Sequence, residues 1–89
     1  MLFRSGAADL AADVVGDLSP ELLATLVAVL ESGLSVAGAA DRLYVHKNTV
    51  RYRMRRVETL TGRSLSNLAD RLELEAATVA SSFKDPLDG

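Results

Sequence analysis

The apolar residues of this chain recur every three or four positions, which is the spacing of one face of an α-helix. No segment reads as a strand with strict alternation of apolar and polar residues. Prolines, glycines and capping residues divide the pattern into five predicted helices, so the sequence predicts an all-α fold. These helices cover about 7–15, 20–32, 36–43, 47–60 and a last segment that starts after Ser66 or Asn67 and ends near Lys84.

The predicted helix ends are marked by residues that satisfy unpaired backbone groups. Ser19 followed by Pro20 is typical of a helix start, and Ser35 can cap the third helix. Gly33 and Gly62 follow the second and fourth helices, where a left-handed backbone conformation can end a helix. The last helix carries an apolar series at helical spacing: Leu68, Leu72, Ala76, Val79, Ala80 and Phe83.

The fourth predicted helix has one apolar face and one strongly polar face. At about 100° per residue, its apolar residues fall on a single stripe, which must face the core. This stripe consists of Val50, Met54, Val57 and Thr61. The opposite face carries Asn48, Arg51, Tyr52, Arg55 and Arg56, with Thr49 and Arg53 on its flank. Cations and hydrogen-bonding groups are therefore predicted to share one side of the helix.

Charge is distributed unevenly along the chain. The formal net charge is -2 for 89 residues, yet the segment 42–57 contains six of the ten lysines and arginines and no acid. Such a local cluster of cations on a slightly acidic domain indicates a contact surface for nucleic-acid phosphates. An ordinary solvated helix face is the alternative, but charge alone does not explain why Asn48, Thr49 and Tyr52 lie among the cations.

The composition argues against a catalytic or metal-binding protein. There is no cysteine and only one histidine, so we expect no disulfide, no metal site and no cofactor. The chain has no glycine-rich phosphate loop and no spacing that supports a catalytic triad, so we expect no enzyme activity and no catalytic residues. Without a membrane span or a signal peptide, the sequence predicts a soluble, cytoplasmic protein that does not bind membranes.

The third and fourth helices form a helix-turn-helix pattern. A short helix, a three-residue connection at 44–46 and a longer basic helix are the parts of this motif, whose second helix lies in the major groove of DNA. The recognition helix is therefore predicted at about 47–61. Asparagine can pair bidentately with adenine and arginine with guanine, while threonine, tyrosine and lysine can bond phosphate or base edges. The predicted DNA-binding residues are Ser35, His46, Lys47, Asn48, Thr49, Arg51, Tyr52, Arg53, Arg55 and Arg56.

Residues 35–57, followed by Leu60, Thr61 and Gly62, resemble the C-terminal helix-turn-helix domain of PucR/CdaR-type bacterial transcriptional regulators. The run HKNTVRYR from His46 to Arg53 carries the resemblance, which extends over about 18–80. It implies a compact five-helix, Fis-like helix-turn-helix domain without a wing, which binds double-stranded DNA. It also implies a larger sensory region that responds to metabolites and is missing from this chain. The corresponding domain division is an N-terminal helical segment at 1–17, the DNA-binding domain at 18–84 and a frayed tail at 85–89.

Three positions in this segment allow more than one interpretation. Tyr44 lies in the turn, where many helix-turn-helix proteins have a left-handed glycine; a non-glycine residue there costs about 1 kcal/mol unless the turn avoids positive φ. Lys47 stands where the family usually has arginine, and it favours a phosphate contact over a bidentate base contact because it lacks the planar fork. His46 is more simply explained as an N-cap or turn residue than as a base reader.

We expect the domain to act as a homodimer, because one recognition helix contacts only a few base pairs. The candidate dimer surface is the apolar stripe near the N-terminus, formed by Phe3, Leu10, Val14 and Leu18. The alternative to sequence-specific DNA binding is a protein-interaction or RNA-binding helical module that uses the apolar first helix and the basic helix. A steep dependence of duplex binding on salt would separate these hypotheses.

Overall fold

The computed structural model describes residues 13–83, and within these residues the chain is helical with connecting turns. Its helices are α1 (Pro20–Glu31), α2 (Val36–Leu43), α3 (Lys47–Thr61) and α4 (Leu68–Phe83). No strand, and hence no wing, occurs between residues 13 and 83. The all-α prediction is confirmed for this part of the chain. None of these four helices is both long and apolar enough to cross a bilayer.

The described residues contain four helices, so the prediction of five is corrected. The first predicted helix, at about 7–15, lies mostly outside the described residues; of it, only Asp13 and Val14 are described as helical. Helical geometry ends after Val14, where the Gly16 amide donates to the Asp13 carbonyl over 3.1 Å in a tight turn. The predicted tail at 85–89 also lies outside the described residues.

The chain divides into two compact units. The first unit, Leu18–Gly62, contains α1, α2 and α3 and therefore the whole helix-turn-helix pattern. The second unit consists of residues 1–17 and 63–89, of which 13–17 and 63–83 are described, and it contains α4. All of the predicted DNA-binding residues belong to the first unit.

The core of the first unit forms where α1, α2 and α3 pack against one another. Each helix supplies apolar side chains that are fully or almost fully buried: Leu26 and Val29 from α1, Ala39 and Ala40 from α2, and Val50 and Val57 from α3. The chain at Gly38 also lies close to the end of α1, because a Cβ atom there would lie 3.1 Å from Ser32 Cβ. Tight packing of three short helices thus holds α3 in place.

The first two helices are capped where the sequence predicted. Ser19 Oγ accepts from the Leu22 amide over 3.2 Å at the start of α1. Ser35 Oγ accepts from the Gly38 amide over 2.9 Å at the start of α2. Each bond satisfies a backbone amide that has no partner within its own helix.

Helices α1 and α2 end with the same hydrogen-bond pattern but different residues. At the end of α1, Gly33 adopts φ 68°, and the next amide donates to the Val29 carbonyl over 2.8 Å. At the end of α2, Tyr44 adopts φ 60°, and the next amide donates to the Ala40 carbonyl over 3.1 Å. The turn therefore does not avoid positive φ, and Tyr44 takes the strained left-handed conformation. Its side chain is 94% exposed, so burial does not offset the cost.

Helix α4 is capped by Asn67, whose Oδ1 accepts over 2.9 Å from the amide of the third helical residue. Its buried face differs from the predicted apolar series, because the fully buried residues are Leu74 and Ala77. The larger members of the series are mostly exposed: Leu68 by 60%, Leu72 by 53% and Val79 by 56%. The series did not identify the buried face because α4 is apolar on two opposite sides, and periodicity does not tell which side is covered.

Shortening Met54, which is 9% exposed in the buried stripe of α3, should destabilise the domain. Met54→Ala should lower the free energy of unfolding by about 2–5 kcal/mol, because it leaves a cavity in the core. Arg55→Ala, at the adjacent exposed position, is the matched control and should change that free energy by less than about 0.5 kcal/mol. Urea unfolding followed by circular dichroism gives both values. A larger loss from Arg55→Ala would mean that α3 is rotated relative to the structure.

Replacing Tyr44 by glycine should stabilise the domain. Glycine adopts φ near 60° without steric cost, so Tyr44→Gly should raise the free energy of unfolding by up to about 1 kcal/mol. Tyr44→Ala is the control, because it removes the exposed ring but keeps the penalty of positive φ. Thermal unfolding of the three proteins gives their order of stability. A glycine variant less stable than the alanine variant would contradict the strain argument.

Candidate nucleic-acid interface

Helix α3 has the two faces that the sequence predicted. Its buried stripe is confirmed: Val50 and Val57 are fully buried, and Met54 and Thr61 are 9% exposed. The opposite face, which we call the α3 polar face, consists of the exposed residues Asn48, Arg51, Tyr52, Arg55 and Arg56. Burial of one stripe fixes the rotation of the helix, so these polar and cationic groups are held together on a solvent-facing surface.

The N-terminus of α3 is capped by His46. The backbone of this residue is extended, with φ -75° and ψ 151°, and its Nδ1 atom accepts from the Asn48 amide over 2.9 Å. The interpretation of His46 as an N-cap is therefore confirmed. Because Nδ1 accepts a hydrogen bond, the neutral imidazole carries its proton on Nε2, which leaves one donor for another partner. Lys47 follows at the first helical position and is exposed.

Two residues of the α3 polar face are bonded to each other. Arg51 Nη1 donates to Asn48 Oδ1 over 2.9 Å, across one turn of the helix. A carbonyl oxygen has two lone pairs, so Asn48 keeps one acceptor position and both N–H donors of its amide. The guanidinium of Arg51 keeps about four of its five donors. The bond therefore orients both side chains without using up the groups that could recognise a base.

Five predicted DNA-binding residues do not belong to the α3 polar face: His46 and Lys47 at the start of the helix, and Ser35, Thr49 and Arg53. Arg53 is half-buried, and its Nη1 atom donates to Thr25 Oγ1 in a long hydrogen bond of 3.4 Å. Thr25 is fully buried and donates in turn to the Glu21 carbonyl over 2.8 Å, so Arg53 connects α3 to α1. Ser35 is the cap of α2, and Thr49 is half-buried on the flank of α3.

The cations of the basic segment differ in how far they are neutralised. Arg42 Nη1 lies 3.0 Å from Glu31 Oε1 in an exposed ion pair between α2 and α1. Within residues 13–83, the ion pairs do not include Lys47, Arg55 or Arg56. Unneutralised positive charge is therefore concentrated on and beside the α3 polar face, which suits contact with phosphate groups.

Two further residues beside this surface were not among the predicted DNA-binding residues. Tyr44 is almost fully exposed in the turn that leads to His46. Thr59 is exposed and follows Arg55 by four positions, which places it on the same side of α3. Tyr44 could have been found from the sequence, because it is an aromatic residue at a position that favours glycine. Thr59 could have been found by continuing the helical spacing of the polar face beyond the family motif.

The profile of the PucR C-terminal helix-turn-helix domain matches residues 22–80, which include α2, α3 and most of α1 and α4. The chain belongs to this family. The resemblance carried by the run from His46 to Arg53 is therefore confirmed. The matched family is a helix-turn-helix domain, and relatives of this chain include transcription regulators, so DNA-binding transcription regulation is the function class of this domain.

The relatives of this chain are much longer proteins. The chain is 36% identical over 72 residues to an uncharacterized protein of Mycobacterium tuberculosis. The matched segment is 81% of this chain and 17% of that protein. It is 43% identical over 56 residues to the purine catabolism regulatory protein of Bacillus subtilis, covering 63% of this chain and 10% of the regulator. It is 38% identical over 53 residues to the carbohydrate diacid regulator of Escherichia coli, covering 60% of this chain and 14% of the regulator. The chain thus spans about a sixth or less of the length of these relatives. No solved structure matches it.

Removing the cap of α3 should destabilise the domain. His46→Ala leaves the Asn48 amide without its acceptor and should lower the free energy of unfolding by about 0.5–2 kcal/mol. His46→Asn is the control, because an asparagine side chain can accept the same hydrogen bond and should restore most of the loss. Urea unfolding of the three proteins tests this. Equal stability of the alanine variant and the original chain would show that the cap contributes nothing.

Proposed function

We propose that this domain binds double-stranded DNA with sequence preference by placing the N-terminal part of α3 in the major groove. The observation that carries the proposal is the bonded pair of Asn48 and Arg51 on a surface of unneutralised cations. In helix-turn-helix proteins the N-terminal residues of the recognition helix contact base edges, and both residues lie within the first five positions of α3. The major groove, about 12 Å wide, admits such a helix.

Asn48 and Arg51 are the proposed base-reading residues. The Asn48 amide can accept from N6 and donate to N7 of adenine, and the Arg51 guanidinium can donate to O6 and N7 of guanine. Each such bidentate contact is worth about 1–3 kcal/mol of discrimination against a wrong base. Arg55 lies one turn beyond Arg51 and can reach a further base pair or a phosphate.

The remaining residues are proposed to fix the register of α3 through the sugar-phosphate backbone, since such contacts position a protein without reading sequence. Arg53 is one of them, because its long bond to Thr25 uses one guanidinium donor and leaves the others for a phosphate. Tyr44 is added because an exposed aromatic residue occupies the strained turn before α3. The proposed backbone contacts are Ser35, His46 through Nε2, Lys47, Thr49, Tyr52, Arg53, Arg56 and Tyr44.

We further infer that the domain is the DNA-binding part of a larger bacterial transcription regulator. Its relatives include a purine catabolism regulatory protein and a carbohydrate diacid regulator, each several times longer than the matched segment. In such a protein, a sensory region responding to a metabolite would control binding in the cytoplasm. A homodimer would read two half-sites roughly 34 Å apart, which multiplies the few base contacts of one recognition helix.

Selection of bound duplexes from a random DNA pool tests the proposal, and enrichment of one sequence motif would support it. A salt titration on the enriched duplex then measures the phosphate contacts, each of which contributes about -0.9 to the log-log slope. A steep slope without enrichment would indicate non-specific DNA binding and overturn the proposal. A flat slope would favour the protein-interaction module, and tighter binding to RNA would favour the RNA-binding module.

Substitutions on α3 should separate base reading from phosphate contact. Asn48→Ala or Arg51→Ala should cost about 1–3 kcal/mol of binding free energy on the selected duplex and much less on random DNA. Arg56→Ala should weaken binding to both duplexes alike and reduce the salt slope by about 1. Arg42→Ala is the charge-matched control, because Arg42 is already paired with Glu31, and it should leave the sequence preference unchanged.

Fluorescence anisotropy with labelled duplexes gives these affinities, and circular dichroism verifies that each variant is folded. Equal losses on selected and random DNA for Asn48→Ala and Arg51→Ala would contradict the division between reading and positioning residues.

A further inference from the structure

Helix α4 has a second apolar face on the side opposite to its buried residues. Leu68, Leu72 and Val79 are 60%, 53% and 56% exposed, and Ala76 between them is exposed as well. At 100° per residue these four side chains fall within an arc of about 80°. They form a continuous apolar band about 16 Å long, which we call the α4 stripe. Exposed leucines are common when scattered singly, but a band of this kind marks an interaction surface.

We propose that the α4 stripe pairs with the α4 stripe of a second copy of this chain, with the two helices antiparallel about a two-fold axis. Such an interface uses the same surface patch on both copies, so it must be complementary to itself. Side-chain size meets this condition. An axis near the middle of α4 places Leu72 opposite Ala76 of the second copy, and Leu68 opposite Val79 of the second copy. Large side chains thus face smaller ones, which lets the two helices interdigitate.

Charge meets the same condition. Arg71 and Glu75 lie one turn apart along one edge of the α4 stripe. In an antiparallel pair, like edges of the two helices face each other. The register that sets Leu72 against Ala76 therefore brings Arg71 opposite Glu75 of the second copy, and the reciprocal pair follows from the two-fold axis. Glu75 is exposed, and Arg71 uses one donor on the Leu65 carbonyl over 3.3 Å, which leaves its other donors for a carboxylate.

We place the dimer surface on the α4 stripe rather than on the N-terminal stripe expected from the sequence, of which only Val14 and Leu18 belong to the described residues. Of that N-terminal stripe, Phe3 and Leu10 lie outside the described residues. Leu18 is buried, with 9% of its surface exposed, so it has little surface left for a partner. In the α4 stripe, by contrast, Leu68, Leu72 and Val79 are each more than half exposed, so their surface is accessible to a partner.

Two 16-residue helices that pack along one face bury a small area. Stable complexes bury roughly 1,200–2,000 Å². The free domain should therefore dimerise weakly, and two half-sites on one DNA would strengthen the pairing by raising the local concentration. Only this last consequence rests on the proposed function. The pairing itself is tested without DNA, so its failure would leave the DNA-binding proposal untouched.

The test is sedimentation velocity of the whole chain over a concentration series from about 10 µM to 1 mM, a range that covers weak association. The original chain should shift from monomer to dimer across this range. Leu72→Glu places a charge in the middle of the α4 stripe and should raise the dissociation constant at least about tenfold. Leu60→Glu is the matched control: Leu60 is 43% exposed on α3, outside the stripe, and its substitution should leave the dissociation constant unchanged.

Charge reversal tests the antiparallel register. Arg71→Glu alone and Glu75→Arg alone each bring like charges together across the axis and should weaken the dimer by a similar factor. The double variant Arg71→Glu with Glu75→Arg restores opposite charges and should recover most of the original dissociation constant. Circular dichroism of each variant verifies that α4 is intact.

Three results would overturn the proposal. The first is a chain that stays monomeric up to about 1 mM, which would mean that something other than a second copy covers the α4 stripe. The second is a loss of dimer from Leu60→Glu as large as that from Leu72→Glu. The third is a folded double variant that dimerises no better than the single charge variants.

Discussion

The burial of Val50, Met54 and Val57 between the helices of the first unit determines what α3 presents to solvent. These residues form one narrow apolar stripe, so the helix has a single favourable rotation about its axis. A rotation of about 100°, the step between neighbouring residues, would bring Arg51 into the core. Burying an unpaired cation costs several kcal/mol, so this alternative is strongly disfavoured. The composition of the α3 polar face is therefore a consequence of packing.

The same argument explains how much of the fold and the site was predictable from sequence. The faces of α3 could be assigned from the sequence because the helix has only one apolar stripe. The starts of α1 and α2 could be assigned because the capping residues Ser19 and Ser35 precede them. The buried face of α4 could not be assigned in this way. Leu74 and Ala77 lie on one side of that helix and the α4 stripe on the other, and only tertiary packing determines which side is covered.

The hydrogen-bond partner of a side chain could be predicted only where an unpaired backbone group requires that side chain. The His46 cap follows from its place before a helix, because the first amides of any helix lack partners. Arg53 is different: a long flexible side chain on a helix flank can reach solvent or a neighbouring helix, and here it reaches Thr25. The bond between Asn48 and Arg51 likewise depends on rotamers that the sequence does not specify.

The hydrogen bond between Asn48 and Arg51 couples the two side chains that we propose for base reading. Residues in one hydrogen-bonded network respond non-additively to substitution, because changing one alters the geometry of the other. A change at Asn48 would therefore alter the preference at the base pair read by Arg51 as well as its own. In a domain that reads DNA through this pair, adjacent positions of the operator are not independent. Divergence to a new operator would then proceed through paired substitutions on α3, accompanied by paired changes in the DNA site.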